Sequence, residues 1–269
     1  MKFNIFTKPW MDLSLSELAS LVKELGFNGV ELPIREGYQV SPNNISSNLK
    51  IAKNILLDNG ITIGSVASDI DEFIINTMGN NDINLLRVCL PIDMKLGYYK
   101  SEYNYKKLFD KLIPVLEDNN VKIGVQNHCD YCIGSAIGLM HLIEGYDKKH
   151  ICAVYDPAHC ALNGEPVDMG LDIVYSQMDL INFKSAYRRR INNLNELEAE
   201  WETNWTTSRN CGYSWDNLVK ELKKRNYKGD VCLPAEYTQP KGTKQIMGDE
   251  VIPFIEYDIK YLKSLFKTR

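Results

Sequence analysis

The segment SLSELASLVKELGFNGVELPI, residues 14–34, contains one complete helix-to-strand unit. Ser14 and Glu17 have the spacing of a capping box at a helix N-terminus, and apolar residues then recur along one helix face. Gly26 stands where helices commonly end in a left-handed residue, and the apolar run that follows predicts a buried strand. The same order of helix, aromatic residue, glycine and strand returns at RNYKGDVCL, residues 225–233. The two matching segments indicate a chain built from repeated units.

Short β-branched runs of this kind occur along the whole chain, and most are followed by a helical pattern. They are FNIF near residue 3, GVELPI near 29, ITIGSVA near 61, NLLRVCLPI near 84, VKIGVQ near 121, ICAVYD near 151, LINFK near 180 and DVCLPAEY near 230. Their typical separation of roughly 30 residues is the size of a strand with its crossover helix. Such units form either a closed barrel or an open doubly wound sheet, and no glycine-rich nucleotide-binding motif follows any strand. We predict a single domain, residues 1–269, with the α/β fold of a (β/α)8 TIM barrel.

Composition and charge exclude several classes of protein. The chain has 31 basic and 35 acidic residues, which gives a net charge of -4 with both signs interspersed. Without a basic face, nucleic acid is not an expected partner. The N-terminus lacks a signal-peptide pattern and no apolar run approaches the ~18 residues of a membrane span, so we expect a cytoplasmic protein without a membrane partner. The 7 cysteines, several of them in apolar runs, are expected to be reduced.

Polar residues stand at the ends of most predicted strands. Active sites of TIM barrels form at the carboxyl ends of the strands, so these residues are candidates for one shared site. They are Glu31, Arg87, Gln126, His128, Asp156, His159, Asn182, Lys184 and Glu236. Taken singly, Glu31 and Arg87 are better explained as a helix cap or an ion pair. The convergence of polar residues from five strands favours a functional site.

The sequence Asp156-Pro-Ala-His159 is the most specific of these elements. It follows the apolar run ICAVY directly and places a carboxylate and an imidazole at the predicted barrel mouth. The alternative is an aspartate that caps the next helix, together with a histidine on the surface.

With GFNGVELPIR, VKIGVQNH, AVYDPAHCALNGE, LINFK and LPAEY, the chain resembles the sugar isomerase and epimerase group of xylose isomerase-like TIM barrels. This group includes tagatose and psicose epimerases and inosose dehydratases. The resemblance implies a divalent metal that is held by residues ending strands five to eight. Asp156 and Glu236 match two of the family's ligands, whereas Gln126 and Asn182 replace a glutamate and a histidine. Lys184 takes the place of the lysine in the family's H-x-K motif, and His159 matches its substrate-contacting histidine.

The implied metal ligands are Gln126, Asp156, Asn182 and Glu236. They form an all-oxygen set of two carboxylates and two neutral amides, which favours Mg²⁺ or Mn²⁺ over Zn²⁺. Replacing a carboxylate and an imidazole by amides also weakens metal binding. An empty site, or one completed by substrate, is therefore the open alternative.

The resemblance implies an enzyme that transfers a proton on a small ketose, polyol or inositol-derived ketone. Such chemistry needs a base and a cation that stabilises the enediolate oxygen. We expect Glu236 to be the base, because Gln126 cannot accept a proton. The candidates for the second proton carrier are Glu31, His128, His159 and Lys184, and His128 and Arg87 are also expected to bind substrate.

One-base isomerisation or dehydration fits this set better than symmetric epimerisation. Two alternatives stay open, namely a lyase of the inosose dehydratase type and a non-catalytic sugar-binding protein with a decayed metal site.

A segment at about 185–212 separates the seventh strand from the helix that starts near Ser214. A loop of this length in a compact domain is usually functional or disordered, and its aromatic residues argue against disorder. We expect it to lie over the barrel mouth, where Trp205 can stack on a sugar and Arg209 can hold an anion. The alternatives are a surface excursion that packs its own tryptophans and a subunit contact in a homo-oligomer.

Cys129-Asp-Tyr-Cys132 follows His128 directly and has the CxxC spacing of zinc and redox sites. A second CxxC motif is missing, and a thioredoxin-like pair normally opens a helix after the first strand, so coincidence is the favoured explanation. The spacing of Cys160 and Cys211 does not indicate a completed cluster.

Overall fold

The computed structural model describes residues 1–210, 212–239 and 242–267. Its strands, numbered in chain order, are β1 (Phe3–Phe6), β2 (Gly29–Pro33), β3 (Thr62–Ala67), β4 (Leu85–Cys89), β5 (Lys122–Gln126), β6 (Ile151–Tyr155), β7 (Met178–Asn182), β8 (Ser185–Arg190), β9 (Trp201–Thr206) and β10 (Asp230–Leu233). All of them except β8 and β9 join in parallel into a closed barrel with the order β1-β10-β7-β6-β5-β4-β3-β2. The predicted TIM barrel is confirmed.

Helices follow the barrel strands as the repeated units require. They are α1 (Leu15–Glu24), α2 (Ile45–Asp58), α3 (Glu72–Gly79), α4 (Tyr98–Asn119), α5 (Ala136–Ile143), α6 (Pro157–Leu162), α7 (Val167–Val174), α8 (Trp215–Lys224) and α9 (Ile252–Lys267). Short 3-10 helices occupy Ser208–Asn210 and Gly248–Val251. In the described residues, no helix combines the length and the apolar character needed to cross a bilayer.

The start of α1 forms as its sequence predicts. The Ser14 hydroxyl accepts a hydrogen bond from the backbone N–H of Glu17 at 3.3 Å, and the Glu17 carboxylate accepts one from the Ser14 N–H at 2.8 Å. Gly26 follows the helix in the left-handed region, with φ of 81°. Leu18, Ala19 and Val22 bury the apolar face. The capping box therefore fixes the helix end while the apolar face attaches the helix to the barrel.

Side chains along the barrel strands alternate between the interior and the helix layer, as the period of two requires. One buried cluster consists of strand residues only: Phe6, Ala67, Leu85, Cys152, Val154, Leu180 and Cys232. Two residues beyond Val154 stands Asp156, and two beyond Leu180 stands Asn182. The same alternation that fills the barrel with apolar side chains thus brings polar ones inward at the carboxyl ends.

The long segment after β7 is not a loop. Strands β8 and β9 pair in antiparallel register from Ser185 opposite Thr206 to Arg190 opposite Trp201, outside the barrel sheet. At its base, the Asp258 carboxylate on α9 accepts hydrogen bonds from the Ser208 backbone N–H and hydroxyl, each at 2.8 Å. The segment that the sequence predicts as a loop over the barrel mouth thus contains a two-stranded hairpin, which is anchored on the last helix.

Candidate active site at the barrel mouth

A cavity of about 250 Å³ opens at the carboxyl ends of the barrel strands. It is lined by Phe6, Lys8, Glu31, Arg35, Arg87, Cys89, Gln126, His128, Asn182, Lys184, Pro234 and Glu236. Most of these residues continue the inward alternation of their strands. The strand period therefore explains why side chains from distant parts of the chain meet here.

Lys184 lies at the centre of the charged groups. Its Nζ is 2.8 Å from Oε2 of Glu236 and 3.3 Å from Oδ2 of Asp156. The ammonium also lies 4.3 Å from the ring centroid of Trp205, which comes from β9. A second ammonium, that of Lys8, contacts Oε1 of Glu236 at 3.1 Å. Both oxygens of Glu236 are thus paired with lysines.

Asp156 is buried where β6 ends and α6 begins. Its Oδ1 accepts a hydrogen bond from the backbone N–H of Ala158, so the residue caps α6. Its Oδ2 accepts from the amides of Gln126 at 2.8 Å and Asn182 at 3.3 Å. Asp156 therefore caps α6, as the structural alternative expects, and its Oδ2 lies among the predicted site residues.

Burial and ion pairing shift the pKa values of Glu236, Lys184 and Asp156 at the barrel mouth. Burial raises the pKa of Glu236, but the charges of Lys184 and Lys8 outweigh it and hold the pKa well below its ordinary value. Burial lowers the pKa of Lys184, yet Asp156 and Glu236 raise it above the ordinary value. Burial raises the pKa of Asp156, and Lys184 offsets this only in part. Glu236 is consequently a carboxylate and Lys184 an ammonium at neutral pH.

The histidine pair has defined tautomers. The backbone N–H of Cys129 donates to Nδ1 of His159 at 3.0 Å, so a neutral His159 carries its proton on Nε2. Nδ1 of His128 lies 3.0 Å from the carbonyl oxygen of Cys129, which only accepts, so a neutral His128 carries its proton on Nδ1. Burial, followed by the charge of Lys184, lowers the pKa of both imidazoles. Both rings are therefore neutral at pH 7.

His128 and His159 differ in their access to the cavity. Their ring centroids are 4.0 Å apart, and only His128 lines the cavity. His159 is fully buried, with Trp205 on its edge at 5.1 Å. Neither His159 nor Trp205 is among the residues that line the cavity, and the contact of His159 with substrate and the stacking of Trp205 on a sugar stay predictions.

Glu31 and Arg87 form a buried pair across β2 and β4. The Arg87 guanidinium donates to Glu31 at 2.6, 3.2 and 3.2 Å, and the Ser65 hydroxyl donates to the same carboxylate at 3.0 Å. This is the ion pair that the sequence offered as the structural alternative. Both residues line the cavity, but their functional groups are bound to each other, which disfavours proton transfer by Glu31.

Arg209 does not line the cavity. Its guanidinium lies 4.7 Å from the ring centroid of Tyr257, and its Nε donates to the Tyr257 hydroxyl at 3.3 Å. Arg209 thus joins the hairpin base to α9, and its binding of a substrate anion stays a prediction.

Lys8 and Arg35 are cavity residues that the sequence interpretation missed. Lys8 stands two residues beyond the end of β1, at an inward position, within a segment that Pro9 makes look irregular. Arg35 stands two residues beyond the end of β2. Extending the period of two past each strand end would have identified Lys8.

The four predicted metal ligands converge, but their orientation does not suit a divalent cation. Gln126 and Asn182 present N–H groups, not oxygens, to Asp156. Both oxygens of Glu236 face ammonium groups. A Mg²⁺ or Mn²⁺ site needs oxygen lone pairs directed at one point. This donor set does not fit a metal ion in the arrangement described.

A second group of ligand atoms lies beside the cavity. His128, Cys129 and His159 each offer one ligand atom, and these atoms lie within 4.8 Å of one another. Burial, followed by the Asp130 carboxylate, raises the pKa of the Cys129 thiol to about 12, which disfavours the thiolate that zinc requires. Cys129 and Cys132 are not joined by a disulfide bond, and Cys211 lies outside the described residues.

Comparison with known proteins agrees with the fold. A family model described as xylose isomerase-like TIM barrel matches residues 91–250. No curated protein matches the chain. Among solved structures, D-psicose 3-epimerase from Clostridium cellulolyticum H10, solved with D-tagatose, has a TM-score of 0.72 at 13% identity and covers 100% of both chains.

Two further structures have the same architecture. The probable 3-DHS dehydratase involved in petrobactin synthesis from Bacillus anthracis has a TM-score of 0.70 at 13% identity, covering 98% of this chain and 99% of that one. A xylose isomerase-like TIM barrel protein from Mycobacterium smegmatis, solved in complex with magnesium, has a TM-score of 0.69 at 12% identity, covering 98% and 97%. Epimerases and a dehydratase thus share this fold, and the chain belongs to the xylose isomerase-like TIM barrel family.

Proposed function

We propose that the protein is a sugar isomerase- or epimerase-like enzyme that transfers a proton beside the carbonyl group of a small polyhydroxylated substrate. The observation that carries the proposal is the pairing of two complementary groups in one cavity. His128 presents an unprotonated Nε2, and Lys184 presents an ammonium. A proton acceptor and a cation in one cavity are the minimum that carbonyl-assisted proton transfer requires.

In the proposed reaction, Nε2 of His128 takes the proton from the carbon beside the substrate carbonyl. The electron pair of the broken C–H bond forms the enediolate, whose oxygen is stabilised by the Lys184 ammonium. Return of the proton from His128 to the neighbouring carbon, with proton exchange between the two oxygens, completes an aldose–ketose isomerisation. Every step uses one base, as the sequence favours, and none is routed through a metal.

This assignment replaces Glu236 as the base. A carboxylate between two ammonium groups is a weak base, because the cations stabilise its charged form. We assign to Glu236 the positioning of Lys184. Asp156 shares this role through its own contact with the ammonium.

Asn182 supports a hydroxylated substrate. Its Oδ1 is buried and has no hydrogen-bond partner among the described residues, although the residue lines the cavity. An unpaired buried acceptor costs about 1–3 kcal/mol, so a substrate hydroxyl that donates to it gains that energy back. Together with the charged residues that line the cavity, this unpaired acceptor favours a polyol or ketose over an apolar ligand.

The same two groups can also support a lyase. Loss of a hydroxyl from the carbon next to the enediolate, with the proton supplied by His128, releases water and gives the dehydration that inosose dehydratases perform. The Asn182 acceptor is equally compatible with a non-catalytic sugar-binding protein. The experiment must therefore separate isomerisation, dehydration and binding.

We would incubate the protein in D₂O with a panel of ketoses, aldoses and inosose, and follow each compound by ¹H NMR. An isomerase or epimerase incorporates deuterium beside the carbonyl and forms a second sugar, whereas a lyase forms an unsaturated product. Calorimetric titration of the same panel gives binding independently. If several compounds bind and none exchanges a proton, the protein is a sugar-binding protein and the proposed catalysis is wrong.

A further inference from the structure

We infer that the ammonium of Lys184 is the resident cation between Asp156 and Glu236, and that a divalent cation binds these two carboxylates only when this ammonium is removed. The inference concerns the cavity of the proposed function but does not depend on which reaction takes place there. It assigns to a side chain of the protein the electrostatic role that a bound metal otherwise fills.

The position of Lys184 is the first argument. Its Nζ lies 2.8 Å from Oε2 of Glu236 and 3.3 Å from Oδ2 of Asp156, so it contacts both carboxylates. The side chain is only 5% exposed and is covered by the Trp205 ring. A buried ammonium cannot swing into solvent without losing both ion pairs. A metal that approached the same two oxygens would meet this like charge at close range.

Saturation of the carboxylate oxygens is the second argument. Oε1 of Glu236 is paired with Lys8, and Oδ1 of Asp156 accepts from the Ala158 N–H. Asp156 and Glu236 carry two negative charges, and Lys8 and Lys184 carry two positive ones. The four groups are therefore neutral as a set. A divalent cation would add two uncompensated charges at a largely buried site, where screening by water is weak.

The orientation of the side-chain amides of Gln126 and Asn182 is the third argument. Gln126 and Asn182 both direct N–H groups to Oδ2 of Asp156. A metal ligand must present its amide oxygen, so both groups would have to turn over for a cation to bind. Asp156 accepts hydrogen bonds from N–H groups, and this arrangement is compatible with a neighbouring ammonium and not with a metal ion.

Removal of the ammonium should open the site to metal. In Lys184→Met the space between Asp156 and Glu236 loses its ammonium, although Lys8 still pairs with Oε1 of Glu236. Once the Gln126 and Asn182 amides turn their oxygens toward this space, two carboxylates and two amides form an all-oxygen set suited to Mn²⁺ or Mg²⁺. Lys8→Met is the matched control, because it removes one lysine from Glu236 but leaves the Asp156–Lys184–Glu236 bridge in place.

The test is titration of the full chain with Mn²⁺ at neutral pH, read by calorimetry and by the loss of the free Mn²⁺ electron paramagnetic resonance signal. We expect no saturable binding to the unmodified protein at millimolar Mn²⁺. Lys184→Met should bind one ion at least tenfold more tightly, and the added change Asp156→Asn should abolish that binding. Lys8→Met should bind Mn²⁺ more weakly than Lys184→Met, because the Asp156–Lys184–Glu236 bridge remains in place.

Two results would overturn the inference. One is stoichiometric Mn²⁺ binding to the unmodified protein that Asp156→Asn abolishes, because Lys184 would then yield to the metal. The other is Mn²⁺ binding to Lys184→Met no tighter than to the unmodified protein, with the barrel intact by circular dichroism. If Lys184→Met does not fold, the Mn²⁺ titration of the unmodified protein still tests the inference. Neither result depends on sugar turnover, so failure of this inference and of the proposed catalysis are distinguishable.

Discussion

At the scale of single residues, hydrogen bonding and ion pairing separate the candidates that sequence alone treats as equal. Glu31 within β2, and His128 and Glu236 just beyond β5 and β10, can all take a proton in principle. Glu31 is held by Arg87 and Ser65, and Glu236 by two lysines. His128 lines the cavity, and its contact with the Cys129 carbonyl through Nδ1 leaves Nε2 unprotonated. Strand periodicity predicts which residues meet, but it does not predict which partner each one takes.

The pair of Glu31 and Arg87 gives a stability prediction at this scale. Arg87→Met should destabilise the protein by about 3–5 kcal/mol, because it leaves a buried carboxylate without its cation. Urea unfolding, followed by circular dichroism, measures the loss. The double variant Glu31→Leu, Arg87→Met is the control and should recover most of the stability, since no charge is then left unpaired. A single-variant loss under about 1 kcal/mol would show that the carboxylate does not need the guanidinium.

At the scale of elements, strong local signals were predicted and weak ones were not. The capping box of α1 has both hydrogen bonds. Helix α4 begins at Tyr98 after Gly97, without a side-chain cap, so its sequence carries no start signal. The hairpin of β8 and β9 was missed because charged residues such as those in Tyr187-Arg-Arg-Arg190 hide its strand character. Its anchor on α9 depends on Asp258, far along the chain.

Asp258 gives a prediction about pH. Burial raises its pKa to about 6, and hydrogen bonds from Ser208 and Tyr237 offset this only in part. The folded protein thus holds the proton more tightly than the unfolded chain, so this group favours folding at low pH and loses its contribution as pH rises from about 4 through 6. Two pKa units correspond to about 3 kcal/mol.

Asp258→Asn keeps an oxygen that can accept from Ser208 and removes the titration. Its stability relative to the unmodified protein should increase by about 2–3 kcal/mol between pH 4 and pH 7. Urea unfolding of both proteins at several pH values measures this difference and cancels the titration of all other groups. A difference that stays constant with pH would contradict the assignment.

At the scale of the whole molecule, the barrel was predictable because one simple pattern repeats eight times in the sequence. The convergence of Gln126, Asp156, Asn182, Lys184 and Glu236 followed from that pattern together with the rule for TIM barrel mouths. The pairing of the Glu236 carboxylate with a second lysine, Lys8, was not predictable from the sequence. Lys8 pairs with Glu236 across a separation of 228 residues, and only closure of β1 against β10 brings them together.

The central claim is that His128 removes the substrate proton. The most direct measurement is the rate of solvent deuterium incorporation into the best-exchanging panel compound, compared between the unmodified protein and His128→Asn. The asparagine amide can keep the hydrogen bond to the Cys129 carbonyl while the Nε2 acceptor is lost. His141→Asn is the matched control, because His141 lies exposed on α5 beside Glu102 and away from the cavity. The account predicts a 10²–10⁴-fold slower rate for His128→Asn and an unchanged rate for His141→Asn. A His128→Asn rate within about threefold of the unmodified protein would contradict it and return the role of base to another group at the mouth.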